Sequence, residues 1–207
     1  MDFKTSRSVT LLLILLILVV SVGTVYVVTT EAREALQDTV RDELMSIACV
    51  AASQIDGDML SLIGNGDEDT EEFVRIRDQL RRIRDAAPDL LYVYTMRKNG
   101  DSVEFVVDAD YGFAEDAAAI GEPYPEAEPE LHAGFAAPSV DSEFTTDQWG
   151  TVLSGFSPIR DASGTVVGIV GVDMDSTTVL EKLDFLNFAF YILVFFLMSS
   201  GAAGVVA

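Results

Sequence analysis

Two stretches without a single charged residue, 8–30 and 185–207, constrain this chain more than anything that lies between them. Each is 23 residues long, and about 20 apolar residues at a rise of roughly 1.5 Å cross the hydrocarbon core of a bilayer. The sequence therefore predicts transmembrane helices at 9–30 and 185–207, with the chain ending inside the second. A buried core helix rarely runs this long without a charge. No A-x-A cleavage site cleanly follows the first stretch, which argues against a removed signal peptide.

Charge then orients the segment between the spans. Lys4 and Arg7 stand against Asp2 at the N-terminus, whereas 31–184 carries 11 basic and 33 acidic residues. Basic residues stay on the cytoplasmic side, so 1–8 is expected in the cytoplasm and 31–184 outside. So acidic a segment repels nucleic acid, which is not expected as a partner. The simplest account of the acids is a solvated, solubilising face; an alternative is that they meet divalent cations near the membrane surface. The single cysteine, Cys49, rules out an internal disulfide and fits a small buried residue.

Beyond the first span, Leu36, Val40, Leu44, Ile47, Ala51 and Ile55 recur at helical spacing. This predicts a helix continuous with the span, ending near Asp56-Gly57-Asp58. Two partners are open to its apolar face, the sheet of its own domain or the same helix of a second chain. Asp69 with Glu72 reads as a capping box for a second helix, whose stripe is Phe73, Ile76, Leu80 and Ile83, ended by Pro88. Strand-like runs at 90–98 and 102–107 flank Asn99-Gly100, a strong hairpin signal. From 108 to about 148 the chain reads as a long connection rich in Ala, Glu and Pro, with a short helix at 128–136; a loop of this length is usually functional or mobile, and we read it as a lid over one sheet face. Residues 144–159 re-enter the sheet, the last part forming a strand at 151–159. Arg160-Asp-Ala-Ser-Gly164 then turns into a second strand, 165–172, whose Val, Ile and Gly predict a central position covered on both faces. That strand runs into Asp173, whose ionised carboxylate needs a partner if buried.

The set AASQIDGD (51–58), DLLYVYTM (89–96), FVVDAD (105–110), DQWGTVLSGFSPIRD (147–161) and GIVGVDMD (168–175), in this order and spacing, resembles the extracytoplasmic Cache domains, also called PhoQ-DcuS-CitA or PDC sensor domains. The resemblance covers about 34–180. It implies an α+β, PAS-like single domain at 31–184: a central antiparallel sheet, a long N-terminal helix on one face, and a ligand pocket on the other beneath a lid. Two transmembrane helices flank such a domain, which passes ligand binding to a histidine kinase, chemotaxis transducer or cyclase. No such output lies within 1–207, so the output is expected in a continuation of the chain or in a separate signalling partner. Homodimerisation through the first helix is the usual arrangement in such receptors.

Asp173 looks like the acid that amino-acid-binding Cache domains place at this strand to meet a ligand ammonium; the competing role is N-cap of the exit helix, which Asp175 fills equally well. The Arg, Trp and Tyr that complete the amino-acid signature are missing, and 108–151 holds no Arg or Lys. A cationic, zwitterionic or neutral ligand therefore fits better than a dicarboxylate. Tyr92 and Tyr94 share one strand face as core or pocket residues. Asp108 and Asp110, followed by Tyr111, line a pocket or form a solvated turn. Asp147 and the only tryptophan, Trp149, mark the other border of the lid. Asp108-Ala-Asp opens like a calcium loop, but Ala119 stands where the bidentate acid belongs, and His132 has no companion for zinc. No metal site, cofactor or catalytic motif is read from the sequence, so the expectation is a binding protein and not an enzyme. The competing classes are an accessory membrane protein using a ligand-free Cache fold as an interaction surface, and a divalent-cation sensor.

Overall fold

The computed structural model describes residues 3–181 together with 188, 190–192, 194 and 195. The chain divides into two compact units, 1–38 with 180–207, and 39–179. The first unit holds the start of helix α1 (Phe3–Gln54), which is long and apolar enough to cross a membrane. The hydroxyls of Thr24, Thr29 and Thr30 donate to carbonyls four residues earlier, at 2.9, 2.7 and 2.9 Å. The helix thus satisfies its own polar side chains on an otherwise apolar surface. Of the second predicted span, 185–207, only 188, 190–192, 194 and 195 are described, and the rest lies outside the described residues.

In the second unit the end of α1 buries Val40, Leu44, Ala48 and Ala51, and Ile55 just beyond it is buried too. Ala48 takes the place predicted for Ile47, which is half-buried. Of the two partners open to this face, the domain's own sheet is one it contacts: a Cβ on Gly155 would stand 3.0 Å from the Leu44 carbonyl. Helix α2 (Gly57–Leu62) starts at Asp56, which accepts from the Met59 amide at 3.1 Å. Helix α3 (Glu71–Ala86) corrects the predicted capping box by one residue. Its N-cap is Thr70, not Asp69, because the Thr70 amide bonds Asp67 O at 3.0 Å and this turn brings the Thr70 hydroxyl to the Phe73 amide. Phe73, Ile76 and Leu80 are buried as the stripe predicts, and Ile83 only half so.

The sheet is wholly antiparallel, in the order β2-β1-β6-β5-β3 with β4 also paired to β5. Its members are β1 (Leu90–Asn99), β2 (Ser102–Asp108), β3 (Ser139–Val140), β4 (Thr145–Asp147), β5 (Gly150–Arg160) and β6 (Val166–Asp175). The β1–β2 turn is the predicted Asn99-Gly100, with Gly100 at φ 64°. Strand β6 lies in the middle, as its composition predicts. Side chains alternate along it: Ile169, Gly171 and Asp173 share one face, Val170 and Val172 the other.

Residues 144–159 re-enter the sheet with the expected strand in the last part, β5; ahead of it Asp147 Oδ1 accepts from the Trp149 and Gly150 amides at 2.8 and 3.2 Å, folding a tight turn that separates β4 from β5. Two expectations need correction. The stretch 108–148 is not a free connection. Beyond the short helix α4 (Pro129–Gly134), residues 121–124 run along the edge of β2, with Phe105 N to Glu122 O at 2.9 Å and Tyr124 N to Val103 O at 2.9 Å. Finally, β6 continues past Asp173 to Asp175, so Asp173 sits inside the strand. Asp175 caps the helix that begins at 176, accepting from the Thr177 amide at 2.7 Å and from its hydroxyl. The cap role open to either acid therefore falls to Asp175.

Candidate functional site

On the face of the sheet opposite α1, strands β1, β2, β5 and β6 form one wall of a cavity, closed by the chain around 108–124 and by the β4–β5 turn. Its apolar walls are Tyr92, Tyr94, Phe105, Tyr124, Trp149 and Val152. Its polar side is made of carboxylates: Asp108, Asp110, Asp116, Asp147 and Asp173. No basic residue lines it among the described residues. The free space is about 30 Å³, enough for one or two waters and far short of the roughly 300 Å³ that begins the range of small-molecule sites. A metabolite fits only if the walls part.

Asp173 is 5% exposed. Tyr94 donates its hydroxyl to Asp173 Oδ1 at 3.1 Å, and Ser154, paired with it across β5 and β6, is a second hydrogen-bond partner. Burial outweighs these bonds and pushes the Asp173 carboxyl up to about 8, with Asp141 and Asp147 adding repulsion. The same burial raises the Tyr94 phenol well above its usual range. Asp141, buried behind Ser154, accepts from the Ser154 amide at 3.0 Å and is pushed up to about 6, again chiefly by burial. Two carboxyls thus flank one serine in the interior.

Three of the remaining lining acids are fixed by the protein itself. Asp108 accepts from the amides of Asp110 and Ala118 at 2.8 and 2.9 Å, and burial still raises its carboxyl. Asp110 pairs with Arg84 of α3, which reaches it from outside the lining. Asp147 accepts from the Tyr124 hydroxyl at 2.9 Å in addition to its two turn amides. Across the mouth, Trp149 donates its indole N–H to Asp116 O at 2.6 Å and Gln148 donates to Glu122 at 3.2 Å. Tyr92 donates to Trp149 O at 3.2 Å. The first two bonds latch the turn to the covering segment, and the third ties it to β1.

Seven of the eight residues picked from sequence therefore surround one cavity. Tyr111 does not line it; its ring meets Phe73 edge-on at 5.3 Å, packing the covering segment onto α3. The sequence reading missed Phe105, Tyr124 and Asp116 among the lining, and the buried pair Ser154 and Asp141. Tyr124 stands between Pro123 and Pro125, an aromatic on a stiff extended piece inside a polar stretch, and that signal was available. Asp116 and Asp141 carry none, because only the folded register brings them here.

No protein-family model matches the sequence, and no curated protein is similar to it. Solved structures do share the fold. The V. cholerae histidine kinase DctB sensor domain matches with a TM-score of 0.60 at 11% identity, over 76% of this chain and 57% of that one. The ligand-binding domain of the Campylobacter jejuni chemoreceptor Tlp3, in complex with 4-methylisoleucine, gives 0.51 at 14% identity over 74% and 58%. The E. coli DcuS sensor domain gives 0.50 at 14% over 72% and 98%. The chain thus spans somewhat more than half of the first two. A mixed α/β domain with an antiparallel sheet and a long N-terminal helix, it has the fold of the PDC, or Cache, sensor domains.

Proposed function

We propose that this chain is a membrane-anchored extracytoplasmic sensor that binds a small molecule carrying positive charge, as a cation or a zwitterion. The observation that carries this reading is the cavity on the face of the sheet opposite α1, where aromatic walls meet five acidic side chains and, among the described residues, no basic one. Such a wall attracts a positive group and repels a dicarboxylate. Asp173 holds a proton in the closed interior, and a bound cation replaces that proton as its partner. Ligand uptake parts the latch between Trp149 and Asp116 and shifts β6. The displacement passes to the helix that Asp175 caps, and from there towards the membrane and an output carried elsewhere. Because a ligand shifts an equilibrium only through different affinities for two states, the latched and parted forms must differ in their contacts with it.

The test is a thermal-shift screen of the full chain in detergent against amines, amino acids, carboxylates, neutral polyols and divalent cations. A ligand at 100 times its Kd adds about 2.7 kcal/mol, which raises the midpoint by a few degrees. Stabilisation by a positively charged molecule, lost in Asp173→Asn, is the expected result. Stabilisation by dicarboxylates alone, or by divalent cations equally in both forms, overturns the reading.

A further inference from the structure

We infer that the positive group this cavity takes is a quaternary, methylated ammonium, an inference that rests on the sensor reading above and narrows its ligand. The first ground is the rings. Phe105 meets Tyr94, Tyr124 and Trp149 at centroid distances of 5.3, 5.7 and 5.3 Å, with interplanar angles of 64°, 76° and 68°. Tyr124 and Trp149 lie 6.3 Å apart at 36°. Phe105 thus meets the other three edge to face, in a packed cluster that becomes a box only when one ring swings out, and Tyr92 adds a further aromatic to the lining. Aromatic faces attract a cation through the ring quadrupole, and a methylated ammonium, whose charge is spread over its methyl groups, is the cation such boxes hold.

The second ground is the state of the carboxylates. A primary ammonium brings three N–H donors and needs an acceptor for each. Here four of the five lining acids are already engaged: Asp108 by two backbone amides, Asp147 by two amides and a phenol, Asp110 by Arg84, and Asp173 by Tyr94 and Ser154; the fifth, Asp116, is exposed at the mouth. The charge of Asp108 and Asp147 reaches the cavity while their lone pairs are largely taken up. A quaternary ammonium donates no hydrogen bond, so it uses the field and the rings and leaves these bonds intact. A primary amine would have to break them.

The third ground is the way in. Trp149 is half-buried, the other ring walls are set on strands or beside Pro123 and Pro125, and its indole holds the mouth through Asp116 O. Swinging one side chain outward opens the box and supplies a ring face to whatever enters.

The experiment is isothermal titration of the full 207-residue chain in maltoside micelles, which carry no choline headgroup, with five probes: tetramethylammonium, choline, ethanolamine, glycine and 3,3-dimethylbutan-1-ol. The last has the shape of choline without its charge. We expect choline and tetramethylammonium to bind about ten- to thirtyfold more tightly than ethanolamine or the neutral alcohol. Trp149→Phe, which keeps a ring, should retain binding, while Trp149→Ala should lose most of it with the fold intact by circular dichroism. Equal or tighter binding of ethanolamine or glycine overturns the quaternary assignment and leaves the sensor reading standing. Equal binding of dimethylbutanol overturns the role of charge, and with it both readings. No binding by any of the five overturns the quaternary assignment, and the broader thermal-shift screen then decides the sensor reading separately.

Discussion

Tyr94 and Asp173 meet across neighbouring strands at the buried centre of the sheet, the phenol donating to Oδ1 at 3.1 Å. Two ionisable groups, each holding its proton at neutral pH, thus face the cavity together. With the Asp173 carboxyl at about 8 and an ordinary value of 3.8, the native state keeps a proton that the unfolded chain has given up between roughly pH 4 and 8. Stability from this group is complete below about pH 4 and is lost as pH rises through 8. Asp141, at about 6, acts in the same direction over the lower half of the window. Thermal denaturation at pH 5, 6, 7 and 8 should therefore show a falling midpoint, and Asp173→Asn should flatten the upper half of that fall. A midpoint that rises with pH would contradict this account.

On the proposed sensor reading, the same proton competes with a cationic ligand. Below about pH 8 the ligand must displace it, so affinity should rise with pH, by at most about tenfold per unit between pH 6 and 8. Titrations in buffers of different ionisation enthalpy should detect the proton released. Asp173→Asn should abolish both effects; a pH-independent affinity in the unaltered chain would show that Asp173 does not face the ligand.

Gly171 sits on the cavity face of β6 beneath the Tyr94 ring, where an added Cβ would overlap Cε2 and Cζ of the tyrosine and stand 2.8 Å from its hydroxyl. Gly171→Ala should push the ring into the cavity and break its bond to Asp173. Overpacking of this kind costs about 1–3 kcal/mol. Chemical denaturation should show that loss, and ligand-induced stabilisation should vanish with it. The double change Gly171→Ala with Tyr94→Ala should recover part of the ligand response, since it removes the overlap.

Trp149 is the only tryptophan in the chain, so its fluorescence reports the mouth of the cavity without labelling. Parting of the latch exposes the indole, and ligand binding should change its emission. Trp149→Phe removes the indole donor to Asp116 O and keeps a ring. Hydrogen exchange should then quicken at 111–118, while the sheet strands stay protected. Unchanged exchange there would mean that the indole bond does not hold the segment down.

Capping offers a control outside the site. Thr70→Ala removes the hydroxyl at the N-terminus of α3 and should cost about 1 kcal/mol. Asp69→Ala, one residue earlier, should stay within about 0.5 kcal/mol. Paired denaturation curves distinguish the two.

Where a feature depends on neighbours in sequence, reading the chain was enough. Asn99-Gly100 announced its hairpin, and the Val, Ile and Gly of β6 announced a strand buried on both faces. Asp69 and Thr70 were equally good caps on composition, and only the turn made by Asp67 chose between them. The short β4 was hidden for a similar reason: Asp147 gathers two amides of its own turn, and residue types alone do not show that 145–147 folds back on β5. The cavity was half legible. Tyr92, Tyr94 and Asp173 follow from strand alternation, whereas Ser154 reaches Asp173 only through the register of β5 against β6, and Asp141 reaches Ser154 only through the bend before β4. Tyr111 failed for the opposite reason, being near the right residues in sequence while its ring turned towards Phe73.

Asp173 and Asp175 lie two residues apart on one strand, the first lining the cavity and the second closing off the helix that follows. Two residues of strand span only about 6.6 Å, with no glycine, proline or loop between them to take up slack. Whatever strains the one carboxylate must arrive at the other nearly undiminished, as a pull on a taut cord does, so lengthening this junction by even a single flexible residue should leave binding intact and silence its consequence.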